Sequence, residues 1–314
     1  MVETLLHAKR ARKRLFVIGA GMLALGVVAL SPGVAPAAKG HKRYLCSGTF
    51  ARPGVLSGNY RYGVVVKGVC SVKDGPAHVF GTLTIRPGSA MAAAFGLNAR
   101  THHGGSRLTV TGDLVVGRGA TLVLGCKVNP DGSGTPCLDE RSMKNPKLTS
   151  SEYVSGNLVE NAPLGVVMHN SAVGGNVTQT SGGGGVNCTS TGVFKAEFKS
   201  PVFSDYEDSS VHGNLQVTGL KSCYLGVIRD SVHGTLGFTN NQLADPDAIE
   251  IEANHVGKNL SCTANSSVWD SHELSTTANF PRGPQPNTVH GKRSGQCVLS
   301  TPVTMGGPSG PGAF

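Results

Sequence analysis

One five-residue phrase returns eight times along this chain: Val, a variable residue, usually Gly, a polar residue, then usually Leu or Val. It reads Val79-Phe80-Gly81-Thr82-Leu83, Val110-Thr111-Gly112-Asp113-Leu114, Val154-Ser155-Gly156-Asn157-Leu158 and Val173-Gly174-Gly175-Asn176-Val177. It continues as Val211-His212-Gly213-Asn214-Leu215 and Val232-His233-Gly234-Thr235-Leu236, with looser copies starting at Val256 and Val289. The valines are 31, 44, 19, 38, 21, 24 and 33 residues apart. The intervals of 44 and 38 read as two periods, and those of 31 and 33 as one period plus an inserted loop. A repeat near twenty residues built on strand-like phrases predicts a solenoid.

Within a phrase, apolar and polar residues alternate, as in Val211, Gly213, Leu215 and Val217 against His212, Asn214 and Gln216. That is the period of a strand half-buried against a core. Turns stacked at ~4.8 Å would pair backbone groups from one to the next. The prediction is an all-β parallel β-helix of about ten coils over the 210 residues from Val79 to Val289. A β-sandwich also spaces its strands regularly, but nothing in that fold demands one phrase eight times. Glycine fits this picture: it makes up 44 of 314 residues, about twice the usual ~7%. The glycines keep no three-residue period, which excludes collagen, and only 15% of residues are charged, which excludes a coiled coil.

The first 37 residues read as a secretory signal peptide: basic Lys9, Arg10, Arg12, Lys13 and Arg14, an apolar run over 15–30, then Ala35-Pro36-Ala37. The apolar run would span ~24 Å as a helix, short of a ~30 Å hydrocarbon core. The mature chain is therefore expected to be secreted, extracellular or wall-associated, with no membrane segment. Removing the leader takes five basic residues and Glu3 from totals of 28 and 19, leaving 23 and 18 and a net charge of +5. The sequence shows no basic cluster interleaved with aromatics, so nucleic acid is not expected as a partner. An acidic wall polymer or anionic glycan is compatible with the charge.

All eight cysteines lie in the mature part, which outside the cell reads as four disulfides. Neighbours in chain order would pair as Cys46–Cys70, Cys126–Cys137, Cys188–Cys223 and Cys262–Cys297. No Cys-x-x-Cys or His-x3-His spacing points to a metal, and no cofactor motif is present. Residues 38–76, pinned by Cys46–Cys70, are expected to cap the solenoid over 77–300. Residues 301–314 read as a flexible Gly/Pro tail.

Cys46-Ser47-Gly48-Thr49, the stretch Val64-Val65-Val66-Lys67-Gly68-Val69-Cys70, and Val79-Phe80-Gly81-Thr82-Leu83-Thr84-Ile85-Arg86-Pro87-Gly88 resemble an uncharacterised group of secreted actinobacterial β-solenoids. More distantly, the phrases are similar to those of bactofilin-type polymer-forming solenoids. The likeness is clear over residues 44–125 and patchier to 300, and it implies a right-handed parallel β-helix rather than a chemistry. The chain departs from bactofilins in its leader, its cysteines and its uneven rungs.

Three groups carry candidate function. His212 and His233 hold equivalent slots one period apart, with His290 in the same slot later, and would present stacked imidazoles to a ligand. Asn157, Asn176, Asn214 and Asn259 share another slot and would hydrogen-bond along the stack. Asp205, Glu207 and Asp208 cluster, with Arg229 and Asp230 a period later. If the chain were a polysaccharide lyase or hydrolase, Asp205, Asp208, Arg229 and Asp230 would carry it, since such chemistry needs paired carboxyls or a metal-binding acid with a basic group. The favoured reading is a non-enzymatic secreted solenoid with a structural or adhesive role, binding a wall polymer, a glycan or another copy.

Overall fold

The phrase valines stand in one column. Parallel pairing places Val79 on Val110, Val110 on Val154, Val154 on Val173, and so on through Val211, Val232 and Val256 to Val289. The phrase's last position forms a second column, Leu83, Leu114, Leu158, Val177, Leu215, Leu236 and Leu260. The computed structural model describes residues 41–129, 134–140, 145, 147–245, 249–270 and 286–298. The leader expected at 1–37 and the tail expected at 301–314 lie outside the described residues. The fold is an all-β parallel solenoid.

Each coil visits three parallel sheets in turn. The first holds strands such as Tyr44–Gly48, Leu83–Ile85 and Leu215–Thr218. The second holds Thr121–Leu124, Gly165–His169, Phe203–Glu207 and Tyr224–Ile228. The third holds short strands such as Ala77–Val79, Ser210–Val211 and Ser231–Val232. Nine strands stack in this third sheet among the described residues.

The phrase turns out to be a corner rather than one strand. Val211 ends Ser210–Val211, His212-Gly213-Asn214 turns, and Leu215 opens the next strand. Burial still alternates as read from sequence, with Val211, Leu215 and Val217 fully buried and His212 exposed. The phrase glycine is required by the coil beneath it. A Cβ on Gly213 would stand 2.5 Å from Asn176 Oδ1 and 2.7 Å from the Gly175 carbonyl oxygen. On Gly234 it would meet Asn214 Oδ1 and the Gly213 oxygen at 2.4 Å each. A side chain at either of these two positions would force the stacked corners apart, whereas Lys258 fills the same slot one coil after Gly234.

Two sequence expectations change. The intervals of 44 and 38 are single coils, because Val110 pairs directly with Val154 and Val173 with Val211. Their extra residues leave the spiral and fold over the outside of the second sheet. One insertion makes antiparallel pairs around Cys126–Val128, and the other contains the short helical turn Phe194–Phe198. Residues 38–76 were expected as the N-terminal cap of the solenoid, and within them Tyr44–Gly48 and Gly58–Tyr60 pair in register with the following strands of the first and third sheets. From residue 44 this stretch is part of the solenoid, and no structural boundary falls at 76.

The interior is a column of Val, Leu and Ile, including Val66, Ile85, Leu114, Val173, Leu236 and Ile251, all at 0–1% exposure. Fully burying each such side chain contributes ~1.5–3 kcal/mol. A second apolar cluster lies outside the second sheet, where Val123, Val167, Phe203 and Tyr224 pack under the insertions through Phe194, Val202, Cys137 and Leu138. Disulfides fasten these parts in the four pairings read from chain order: Cys46–Cys70, Cys126–Cys137, Cys188–Cys223 and Cys262–Cys297. Four disulfides fit an oxidising compartment. Among the described residues no helix is long and apolar enough to cross a membrane.

Side chains extend the coil-to-coil pairing at the corners. On the outside, Asn157 Oδ1 accepts from the Asn176 amide at 2.9 Å, Asn176 from Asn214 at 2.9 Å, and Asn214 from Thr235 at 2.8 Å. Asp113 begins this ladder by accepting from Asn157, whereas Asn259 serves Lys292 farther along. A second, buried ladder runs two residues before the phrase valine from Val154 onward, in the opposite sense. There Ser209 caps the Ser171 amide, Asp230 the Ser209 amide, Asn254 the Asp230 amide and Asn287 the Asn254 amide. Asn254 also donates to the Val227 carbonyl at 2.7 Å and to Asn287 Oδ1 at 2.8 Å. Truncating a buried, fully bonded group costs more than truncating an exposed one. Asn254→Ala should therefore lose ~1–3 kcal/mol in chemical denaturation and Asn214→Ala under ~1 kcal/mol; equal losses would show that the inner ladder holds nothing the outer one does not.

Candidate functional site

Asp205, Glu207 and Asp208 converge on the second sheet and its exit corner, where Asp205 and Glu207 are closed to solvent and Asp208 keeps 11% exposure. Strand Phe203–Glu207 is buried throughout, since one face fills the solenoid and the other is covered by the insertions. Asp205 and Glu207 point outward from it, beside His169 on the preceding coil, in register with Glu207. His169 Nε2 lies 3.0 Å from Asp205 Oδ2 and 3.2 Å from the Thr135 hydroxyl, and Nδ1 lies 2.8 Å from Glu207 Oε2. Glu207 pairs in turn with Arg229. All three of His169, Asp205 and Glu207 are within 1% of complete burial.

Asp208 and Arg229 occupy the same corner slot one coil apart. Both adopt left-handed backbone, φ 51° and 56°, as do Asn170 and Ala253 in that column. The column position aligns the guanidinium with the carboxylate: Arg229 Nε donates to Asp208 Oδ1 at 3.0 Å and Nη2 to Oδ2 at 3.1 Å. Asn129 of the insertion donates to Asp208 Oδ2 at 3.0 Å. Burial raises the Asp208 carboxyl above its usual range, and the Asn129 hydrogen bond opposes that. Asp230 points elsewhere, into the inner ladder, with no exposed surface. Burial lifts its carboxyl well above the ordinary aspartate range, against the pull of the Ser209 amide. Asp230 has the shape of the asparagines that follow it in the ladder, and its Oδ1 accepts from the preceding coil's amide as Asn254 Oδ1 does.

His169, Asp205 and Glu207 offer one nitrogen and two carboxylates within 4.8 Å of one another, donors of the kind that take divalent cations. Glu207 is also held by Arg229, and His169 faces a carboxylate at each nitrogen. The arrangement is a buried polar network joining three coils and an insertion. The signal for His169 was present in the sequence: it sits four residues before Val173, as Glu207 sits four before Val211.

A second buried polar group lies inside the solenoid. Glu160 occupies an interior column between Val116 and Gln179. The Tyr206 hydroxyl lies 2.5 Å from Glu160 Oε2 and 2.9 Å from Gln179 Oε1, and Gln179 donates to Ser204 at 3.0 Å. Burial pushes the Glu160 carboxyl up to about 8, despite the Tyr206 hydrogen bond. Glu152, in the inner ladder slot and bonded to the Leu108 amide, is also raised to about 8 by burial.

His212 and His233 stack as the repeat implied, ring centroids 4.7 Å apart and planes inclined by 29°, both exposed. Gly257 interrupts the slot before His290. One sequence reading is corrected. Cations and aromatics do interleave, at His41-Lys42-Arg43-Tyr44 and Tyr60-Arg61-Tyr62, and the first coils bring the two runs together. Comparison with family models, curated proteins and solved structures finds no match to this chain.

The raised Glu160 sets a pH dependence. Below about pH 4.5 both folded and unfolded states hold the proton; between there and about 8 only the unfolded state ionises, so stability falls as pH rises. Melting temperature should drop from pH 5 to pH 8, and Glu160→Gln should flatten that drop; an unchanged slope would remove Glu160 as a cause. Asp230→Asn separates ladder from catalysis. It should fold normally and match or exceed the wild type in stability at pH 7, whereas a stability loss would mean that the carboxyl makes a contact asparagine cannot replace.

Proposed function

We propose that this protein is a secreted, non-enzymatic β-solenoid with a structural or adhesive role at the bacterial cell exterior. The observation that carries the reading is the fate of the carboxyls a glycan-cleaving site would need. Asp205 and Asp230 are completely buried. Asp208 is bound by Arg229 and Asn129. Cleavage of a glycosidic bond or elimination needs such groups in contact with the sugar, and here each bonds one coil to another or to an insertion.

The outward faces support adhesion by their regularity. Thr180, Thr218, Thr239 and Thr263 follow one another in register on the first sheet, and all are exposed. A face that repeats at the ~4.8 Å strand spacing suits contact with an extended polymer. The leader and the four disulfides support export, and the resemblance to secreted bacterial solenoids agrees with that placement.

Fractionating the producing cells and incubating the purified protein with pectin, alginate and hyaluronan tests both parts. The protein should appear in the medium or wall fraction and release neither reducing nor unsaturated ends. Release that disappears in Asp208→Asn, with the fold intact by circular dichroism, would establish the carbohydrate-active enzyme instead; recovery only in the cytoplasm would end the exterior role.

A further inference from the structure

The first coils carry cations without counter-charge. Between residues 41 and 73 the chain has Lys42, Arg43, Arg52, Arg61, Lys67 and Lys73 and not one carboxylate. Carboxyls elsewhere are largely turned inward: Glu152, Glu160, Asp205, Glu207, Asp230, Asp245, Glu250 and Glu252 are all buried. The outer surface is thus more basic than the formal charge suggests, and the excess is concentrated at the N-terminal coils. Among the described residues, no carboxylate pairs with Lys42, Arg43, Arg61 or Lys67.

Aromatic rings share this surface. Lys42, Arg43, Tyr44, Tyr60, Arg61 and Tyr62 line one shallow depression, and Asn59, Arg61 and Phe80 line the next. Tyr44, Tyr62 and Phe80 are 42–48% exposed, and five of the eight exposed large apolar side chains of the described residues fall between 44 and 80. The rings are held in place. Tyr62 stacks on His41 at 4.0 Å with planes 7° apart, Tyr44 leans on Tyr60 at 4.7 Å, and Tyr60 is fixed through its hydroxyl to Ser57. Arg43 reaches along the first sheet to the Thr84 hydroxyl. Ordered rings bind with little further loss of freedom, and unneutralised cations draw anions to the same place.

We propose that this face binds an anionic polysaccharide, with Lys42, Arg43 and Arg61 pairing with its carboxylates and Tyr44, Tyr62 and Phe80 stacking on the apolar faces of its sugars. The assignment rests on the adhesive reading and gives it a site and a ligand class. A second copy suits the face less well, because the far end of the solenoid offers the exposed Lys292, just before the last strand Arg293–Gly295, and would set cation against cation.

The test measures binding of the disulfide-bonded protein to polygalacturonate, alginate and hyaluronan, with neutral dextran and inorganic polyphosphate as controls. Binding to at least one carboxylated glycan is expected, with dextran ignored and affinity falling as salt rises. Arg43→Gln/Arg61→Gln should weaken it tenfold or more. Tyr44→Ser/Phe80→Ser should weaken glycan binding at least fivefold and leave polyphosphate binding unchanged. These are exposed positions, and circular dichroism with a free-thiol count confirms that each variant is folded. Absence of binding to all three glycans overturns both the site and the adhesive reading. Full binding by the charge variant overturns the site alone. Polyphosphate bound as tightly as any glycan, with no effect of the aromatic variant, overturns the polysaccharide and leaves a general polyanion surface.

Discussion

Every feature of this molecule depends on parallel backbone pairing between successive coils in fixed register. A β-strand presents hydrogen-bonding groups to both sides, and a solenoid satisfies them by placing each coil on the last. Register then sorts side chains, because any slip by one residue would turn the valine and leucine columns outward. The Val79-to-Val289 column and its leucine counterpart make that slip costly at eight successive levels. At Gly213 and Gly234 the phrase glycine follows from the same constraint, since those corners stack too closely for a Cβ.

The corners are where the polar chemistry accumulates. A turn interrupts the ladder of backbone bonds, and amides exposed there need acceptors. Two side-chain ladders supply them, the outer one serving the amide of the following coil and the inner one that of the preceding coil. This explains why Asp230, which in sequence looks like a catalytic acid beside Arg229, serves as a member of an asparagine series. Burial raises its carboxyl well above the ordinary aspartate range, and its Oδ1 accepts from the Ser209 amide as the asparagine oxygens do from theirs. Arg229 and Asp208 join adjacent corners, and the His169 network ties the second sheet to its covering insertion.

Insertions account for the uneven spacing and for the chain's second apolar cluster. Each leaves the spiral, packs on the outside of the second sheet and returns to the column it left. Covering that face takes His169, Asp205 and Glu207 out of solvent, while the first coils keep their cations and rings exposed. Charge is therefore distributed by burial as much as by sequence: acids inside, bases on the N-terminal surface.

Local pattern was enough to establish the repeat with its alternating burial, the stacking of His212 on His233, the outer asparagine ladder and the four disulfide partners. Each depends on spacing along one repeat or on neighbours in chain order. The inner ladder was also written there, two residues before the valine from Val154 onward, but its members vary among Ser, Asp, Asn and Glu, so identity alone hid it. Corners at Asp208, Arg229 and Ala253 were illegible, because left-handed backbone ordinarily selects glycine or asparagine and here is held by stacking instead. Whether 44 residues meant two coils or one, which carboxyls were covered, and that Lys42 and Arg43 meet Arg61 were decided only by tertiary structure. Those outcomes depend on where a long excursion rejoins the column and on what it covers, and a one-dimensional period carries no record of either.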